Sequence, residues 1–455
     1  MKNDAGIIID FDNQQQLADA IIKLFSNDVL RSNMGSYGLH HMASTAWENS
    51  AIAHARLFQN MDKAGITLKY AAPQINLNHF KKMTTDFGMI QFSKLNQPDN
   101  SSGYTIDDNA RALIAMCQHY EHFEDEKDLA YINTYFDFIK HCIQKDGYFL
   151  NYVDEGGAFT KQNYETNLDD ANGRAIWAIG YLISRRESFP ASFKKIIVTA
   201  QELLQQALLN VDKIHSTRAM AFIIKGLYFV NTVEENSSHI EIIKKLANRL
   251  VQMYRHEALP SWRWFEGYLT YANSVLPEAM LCAYMVTDDL VYKKIAKESF
   301  DFLLSKTFSE NAIKIISNKG WLHKNEALQL IASSDLHLGG EQPIDVAYTI
   351  LALSKFKEVF RDGDYHHKME IAFNWFLGDN NLHRIIYNPC TGGCYDGLEA
   401  NNVNLNQGAE STVSYLMARL TIEKMRSQRQ KSNYYYLVPR AKNEVDYLIT
   451  KIQVA

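Results

Sequence analysis

A chain of 455 residues with 46% hydrophobic and 22% charged content has the composition of a soluble globular protein, with room for one large domain or two to three ordinary ones. Its formal net charge of −5 gives no electrostatic footing for nucleic acid or an anionic membrane surface, and no uninterrupted apolar run is long enough to span a bilayer. Of the five cysteines (Cys117, Cys142, Cys282, Cys390, Cys394) only the last two are close in sequence, and no histidine cluster accompanies them. This excludes a zinc site, which takes about four ligands, and favours a reducing, cytoplasmic setting. The opening MKNDAGIIIDFDN lacks the basic stretch and long apolar run of a signal peptide.

In chain order, GIIIDFDN reads as a short buried-strand run that ends in turn residues. QQLADAIIKLFSN follows as an amphipathic helix with Leu17, Ile21, Ile22 and Leu24 grouped at helical spacing, then DVLRSNMGSYGLHHMAS and AWENSAIAHARLFQNM as two more helices. This order resembles the C-terminal end of a GT-B glycosyltransferase of the retaining, GT4-like kind. The resemblance covers residues 1–60 only, and the segments that would hold a nucleotide sugar are not in it. It implies a packing remnant, so this chain alone is not expected to act as a glycosyltransferase. Residues 61–105 read as a connector with one short helix and the loop NQPDNSSG.

From Tyr104 onward, helical stretches fall into six pairs. First members start near Asp107, Asp169, Ser216, Asn273, Pro343 and Gly408, and second members near Glu126, Pro190, His239, Asp288, Tyr365 and Lys442. Strand signals are few and short, such as GYFLNYV at 147–153. Six helix pairs without a tight consensus predict a mainly α fold, an (α/α)6 toroid over residues 106–455, rather than a helical solenoid.

Polar side chains gather where each first-member helix begins: DDNAR, DDANGR, HSTRAM, YANSVLPE, GGEQPID and NQGAEST. If these helices form a parallel inner ring, their N-termini converge on one rim. Capping by Asp107, Asp169 and Ser216 accounts for one polar residue per helix. It leaves the Asp–Asp doublets and the glutamates further in unexplained. An irregular loop of about 25 residues, Tyr387–Ser411, delivers Asp396, Asn404, Asn406, Gln407 and Glu410 to the same end.

Such a rim suits sugars, and cleaving a glycosidic bond needs one protonated and one ionised carboxyl. The expected pair is Glu410 with Asp108, Asp170 or Glu266. The alternative for Asp108 and Asp170 is a cap with an ion pair to Arg111 or Arg174, near i,i+4 spacing. Glu266 follows Trp262 and Trp264, which would desolvate it and raise its pKa. Asp107, Asp169, Arg174, Trp264, Tyr271, Glu278, Glu341, Gln342, Asp396, Asn406 and Gln407 are the expected substrate contacts. Glu341 is expected at the helix cap, pointing to the rim, and Trp321 and Tyr271 as stacking platforms. No metal is expected, for want of a ligand cluster, and no cofactor, for want of a Gly-rich phosphate loop; no nucleophile elbow marks a Ser-His-Asp arrangement.

The longer runs DDNAR, DDANGRA, TRAMAF, WRWFEGYLTYANSVLPEAM, EQPID and YNPCTGGCYDGL…VNLNQGAEST resemble a bacterial family. In it, a GT4-like glycosyltransferase is fused to a C-terminal six-hairpin glycosidase-like domain. The resemblance implies that the six-hairpin part carries function. The expectation is inverting acid/base hydrolysis of a short, mannose-containing oligosaccharide. A second expectation is a non-catalytic glycan-binding module for a separately encoded glycosyltransferase. A lesser one is a sugar epimerase or isomerase like the N-acylglucosamine 2-epimerases. Those use paired histidines, whereas only His215, His323 and His337 lie near rim segments here.

Overall fold

The computed structural model describes residues 5–43, 45–61, 70–325 and 339–437. Four helices precede the repeats: α1 (Gln14–Phe25), α2 (Asp28–Ala43), α3 (Trp47–Met61) and the single turn α4 (Asn78–Lys82). Six long helices follow the predicted first members: α5 (Ile106–Phe123), α7 (Asp169–Ser184), α9 (Thr217–Asn231), α11 (Val275–Thr287), α13 (Pro343–Phe360) and α15 (Ala409–Leu437). Between them lie α6 (Asp128–Cys142), α8 (Lys194–Leu208), α10 (Ser237–Glu257), α12 (Leu290–Thr307) and α14 (Gly363–Phe376). The second member predicted at Lys442 lies outside the described residues.

The first set closes a ring. Helix α5 packs on α7, α7 on α9, α9 on α11, α11 on α13, α13 on α15, and α15 back on α5. Each member of the second set packs outside its predecessor in the chain. The architecture is the (α/α)6 toroid. Burial patterns show why the sequence sorts helices this way. In α9 every residue from Thr217 to Tyr228 is buried, as an inner helix touched on all sides must be. In α10 the buried set is one stripe, His239, Ile243, Leu246, Ala247, Leu250, Val251 and Tyr254, with the other face charged.

All six inner helices start at one end. Thr105 caps α5 through its side chain, Ser216 caps α9, and Pro343 takes the first position of α13, where a missing N–H costs nothing. Short antiparallel ladders decorate the same end: β1 (Ser93–Lys94) with β2 (Gln97–Pro98), β3 (Tyr104–Thr105) with β4 (Tyr152–Val153), and β5 (Tyr268–Leu269) with β6 (Leu322–His323). The last loop adds β7 (Tyr387–Asn388) with β8 (Gly393–Cys394) and β9 (Gly397–Leu398) with β10 (Val403–Asn404). Residues 70–105 do more than connect. His79 Nε2 bonds the Gln407 carbonyl at 2.7 Å, Arg419 Nε donates to the Pro73 carbonyl, and Ala409 N–H donates to the Gln91 carbonyl. They brace the start of α15.

The N-terminal segment behaves differently from the buried α/β fragment expected of it. Ile7, Ile8 and Ile9 are exposed and pair with no strand among the described residues. Phe11 and Trp47 are 96% and 89% exposed, and Ile22, Phe25, Val29, Phe58 and Met61 also face outward. Helices α1 and α2 pack on each other, and Asn49 of α3 accepts the Ile385 N–H at 3.0 Å. No helix of the described residues is long and apolar enough to cross a membrane.

Candidate active site

The first turns of the inner helices meet in a cluster of carboxylates and arginines. Arg111, on α5 and 1% exposed, uses one guanidinium nitrogen for two carboxylates: Asp108 Oδ1 at 2.9 Å and Glu410 Oε2 at 3.0 Å. Asp108 also accepts the Thr105 hydroxyl at 2.6 Å and is buried, which pushes its carboxyl above the usual range despite the opposing Arg111 charge. Glu410, in the first turn of α15, keeps its side chain 42% exposed. It is the open member of the cluster. The expected Asp108–Arg111 ion pair is present, at i,i+3. Asp170 and Arg174 do not form the corresponding pair. Arg174 instead crosses to Asp107 of the neighbouring helix at 2.6 Å, and Asn151 donates to the other Asp107 oxygen.

Asp169 is a bridge between helices, because its Oδ2 accepts the N–H groups of His215 and Ser216 ahead of α9. Asp170 accepts the hydroxyls of Ser216, at 2.5 Å, and of Tyr271. Tyr271 lies under the Arg218 guanidinium, 5.2 Å from its ring centre, and burial raises its phenol pKa. Trp321 is 44% exposed and stacks on Tyr268.

Several expected site residues do other work. Glu266, expected as an acid set off by its neighbouring tryptophans, has an arginine partner instead. It is a buried ion-pair partner of Arg218 at 3.1 Å and accepts the Thr217 hydroxyl at 2.7 Å. Trp264 is fully buried against Phe265 and Phe302 and cannot stack on a ligand. Glu278 lies deeper in the ring, paired with Lys225 at 2.8 Å, and lines a cavity of about 810 Å³ at the opposite mouth. Glu341 turns away from the rim toward α14, accepting Trp375 Nε1 at 2.8 Å and Asn381 Nδ2 at 3.0 Å. The cap of α13 is Gln342, without a side-chain capping bond. Asn406 Oδ1 accepts the Leu95 N–H and Gln407 Oε1 accepts the Thr391 hydroxyl, so both anchor the loop. Asp396 stays near the cluster. Its Oδ1 accepts the Gly408 N–H at 2.8 Å, and burial, with Glu410 and Asp108 nearby, pushes its carboxyl up to about 6.

One carboxylate escaped the sequence reading. Asp345, third residue of α13, is 8% exposed. Its Oδ1 accepts the Ala272 N–H at 2.6 Å. Ala272 sits in the left-handed region at φ 51°, which costs a non-glycine residue about 1 kcal/mol. Burial first, and then the Glu410 charge, push the Asp345 carboxyl up to about 7. The only signal in the sequence was one acidic residue in the first turn after Pro343.

Glu341 makes a stability prediction. Burial pushes its carboxyl up to about 7 in the folded state, against about 4.3 in the unfolded chain. Below pH 4 both states hold the proton. Between pH 4 and 7 only the unfolded chain releases it, so stability falls as pH rises. Chemical denaturation at pH 5 and pH 8 should show a drop that Glu341→Gln reduces by on the order of 2 kcal/mol.

No family model matches the chain, and no curated protein matches it. Solved structures do. A cellobiose 2-epimerase from Bacillus thermoamylovorans B4167 superposes with a TM-score of 0.56 at 10% identity, covering 83% of this chain and 100% of that one. A D-mannose isomerase gives 0.53 at 12% identity, over 84% and 99%. An α-1,6-mannanase of Salegentibacter sp. HEL1_6, as an inactive variant with two adjacent aspartates changed to asparagine and bound to α-1,6-mannotriose, gives 0.51 at 11% identity, over 76% and 96%. At these identities the likeness establishes the fold: the chain is a toroid of the kind found in these sugar-handling enzymes.

Proposed function

We propose that the protein is a carbohydrate-active enzyme of the hydrolase-like kind, acting on a short, mannose-containing oligosaccharide by inverting acid/base catalysis. The observation that carries this is Glu410: a half-exposed, ion-paired carboxylate where the first turns of the inner ring converge. In an inverting enzyme it would activate water on the far side of the sugar ring. Tyr271 and Trp321 would meet the sugar faces. The named activities of the superposed proteins, on mannose-containing or related sugars, support the substrate class.

Asp108 does not suit the role of inverting partner. Its oxygen and that of Glu410 both lie within 3.0 Å of one nitrogen, so they are at most about 6 Å apart, short of the roughly 6.5–9.5 Å that leaves room for water. Asp170 is tied to Ser216 and Tyr271.

The second reading, a glycan-binding module for a separately encoded glycosyltransferase, has its own support. Arg111, Arg174 and Arg218 each engage a rim carboxylate, and Phe11, Phe25, Val29, Trp47, Phe58 and Met61 present apolar surface of the kind that partners cover. The residues 1–60 would then be the docking remnant of a glycosyltransferase. The epimerase reading has less, since His215 and His323 are exposed at the periphery and His337 lies outside the described residues.

Product release from short mannose-, glucose- and N-acetylglucosamine-containing oligosaccharides, with and without phosphate, decides between them. Wild type should cleave, and Glu410→Gln should lose about 10²–10⁴-fold in rate. Saturable binding without turnover, unchanged in Glu410→Gln, would leave the binding module standing.

A further inference from the structure

We propose that Asp345 is the proton donor of the site, opposed to Glu410; this rests on the hydrolase reading above. A general acid must hold its proton at working pH, so it cannot be committed to an ion pair. That requirement removes most of the rim. Asp108 and Glu410 share Arg111, Asp107 faces Arg174, and Glu266 faces Arg218. Asp169 is spent on two backbone N–H groups, and Asp170 on two hydroxyls. Asp396 accepts the Gly408 N–H and a bond from Ser411.

Asp345 has no ion pair within the described residues. One oxygen is fixed by the Ala272 N–H at 2.6 Å, and its second oxygen accepts no hydrogen bond among the described residues. The charged groups that act on it are Glu410 from α15 and Arg218 from α9. Glu410 thus acts on it from the first turn of α15, the inner helix packed beside α13. The left-handed Ala272 is held in place by the same hydrogen bond, so one carboxyl oxygen is anchored while the other carries no hydrogen bond among the described residues. A protonated state near neutrality agrees with this arrangement.

The step balances. Water attacks the anomeric carbon and gives a proton to Glu410 while the bond to the leaving oxygen breaks. Asp345 delivers its proton to that oxygen. The products are a hemiacetal and an alcohol, and solvent returns one proton to Asp345 and removes one from Glu410.

Glycosyl fluorides test the assignment, because fluoride leaves without protonation. Wild type, Asp345→Asn and Glu410→Gln are assayed on the cleaved oligosaccharide and on α- and β-mannosyl fluorides. Asparagine keeps an acceptor for Ala272, and a thermal melt checks the fold. Asp345→Asn should lose about 10²–10⁴-fold on the oligosaccharide and less than about tenfold on the fluoride, while Glu410→Gln loses both. A second readout needs no variant: the basic limb of the wild-type kcat/KM profile, with oligosaccharide, should be absent with the fluoride. Equal losses on both substrates, or unimpaired oligosaccharide cleavage by Asp345→Asn, overturn the assignment while the hydrolase reading stands. Wild type inactive on both substrates overturns the hydrolase reading and this assignment with it.

Discussion

Gly180→Ala should be the most damaging single-methyl change in the ring, costing about 3 kcal/mol or more of a total stability of about 5–15 kcal/mol. Helices α7 and α9 approach until their backbones touch. A Cβ on Gly180 would lie 2.7 Å from the Gly226 carbonyl carbon and 2.9 Å from its Cα. A Cβ on Gly226 would in turn meet the Ile176 carbonyl oxygen at 2.6 Å and the Trp177 Cα at 2.9 Å. Gly173, seven residues before Gly180, faces Ala219 at 2.8 Å in the same way. These neighbours are backbone, not the flexible end of a side chain, so no rotamer change makes room. The helices would have to separate, and in a closed ring that movement propagates to α5 and α11. Gly363 is the control. Nothing lies within 4 Å of a Cβ there, and alanine at this helical position should be neutral or add up to about 1 kcal/mol. Thermal and urea melts should fall for Gly180→Ala and hold or rise for Gly363→Ala. Equal, small shifts would mean that the inner ring is looser than these approaches require.

The toroid was readable because it is written in local chemistry. Inner helices announce themselves by a polar first turn followed by a mostly apolar run, and outer helices by a single stripe. The observed inner starts at Ile106, Asp169, Thr217, Val275, Pro343 and Ala409 fall within two residues of the predicted ones. The longer-range pairing of charges was not readable, because Arg174, Arg218 and Arg111 each reach a distant stretch of chain. Arg174 meets Asp107 from 67 residues earlier, Arg218 meets Glu266, and Arg111 meets Glu410 across 299 residues. Spacing within one helix suggested Arg174–Asp170, but Arg174 pairs with Asp107 of the neighbouring inner helix at 2.6 Å. Trp264 shows the same limit. Neighbouring a carboxylate in sequence, it points to the outer ring in space. Asp345 was hidden for the opposite reason. An aspartate in a first turn looks like ordinary helix-dipole chemistry, and only the Ala272 N–H, 73 residues away, marks it out.

Lys225→Met should cost about 3–5 kcal/mol, the range for stripping one partner from a buried ion pair. Lys225 is two turns into α9 with its side chain 1% exposed, and Glu278 on α11 is 5% exposed. The ammonium also lies 4.0 Å from the Trp177 ring centre and 5.9 Å from that of Tyr348. Trp177, Phe222 and Tyr348 pack against one another here, between the carboxylate rim and the cavity at the other mouth. Methionine fills most of the lysine volume but leaves the Glu278 charge unanswered in an apolar plug. Removing both charges, in Lys225→Met with Glu278→Gln, should recover most of the loss, since a matched buried pair contributes little beyond an apolar isostere. The coupling energy from this double-mutant cycle measures the pair. Run beside the sugar assay, the cycle also tests the deeper role expected of Glu278. If it binds substrate, the double variant will fold and fail to turn over. If it serves the plug alone, as its 2.8 Å bond to Lys225 argues, the double variant will match the wild type in that assay.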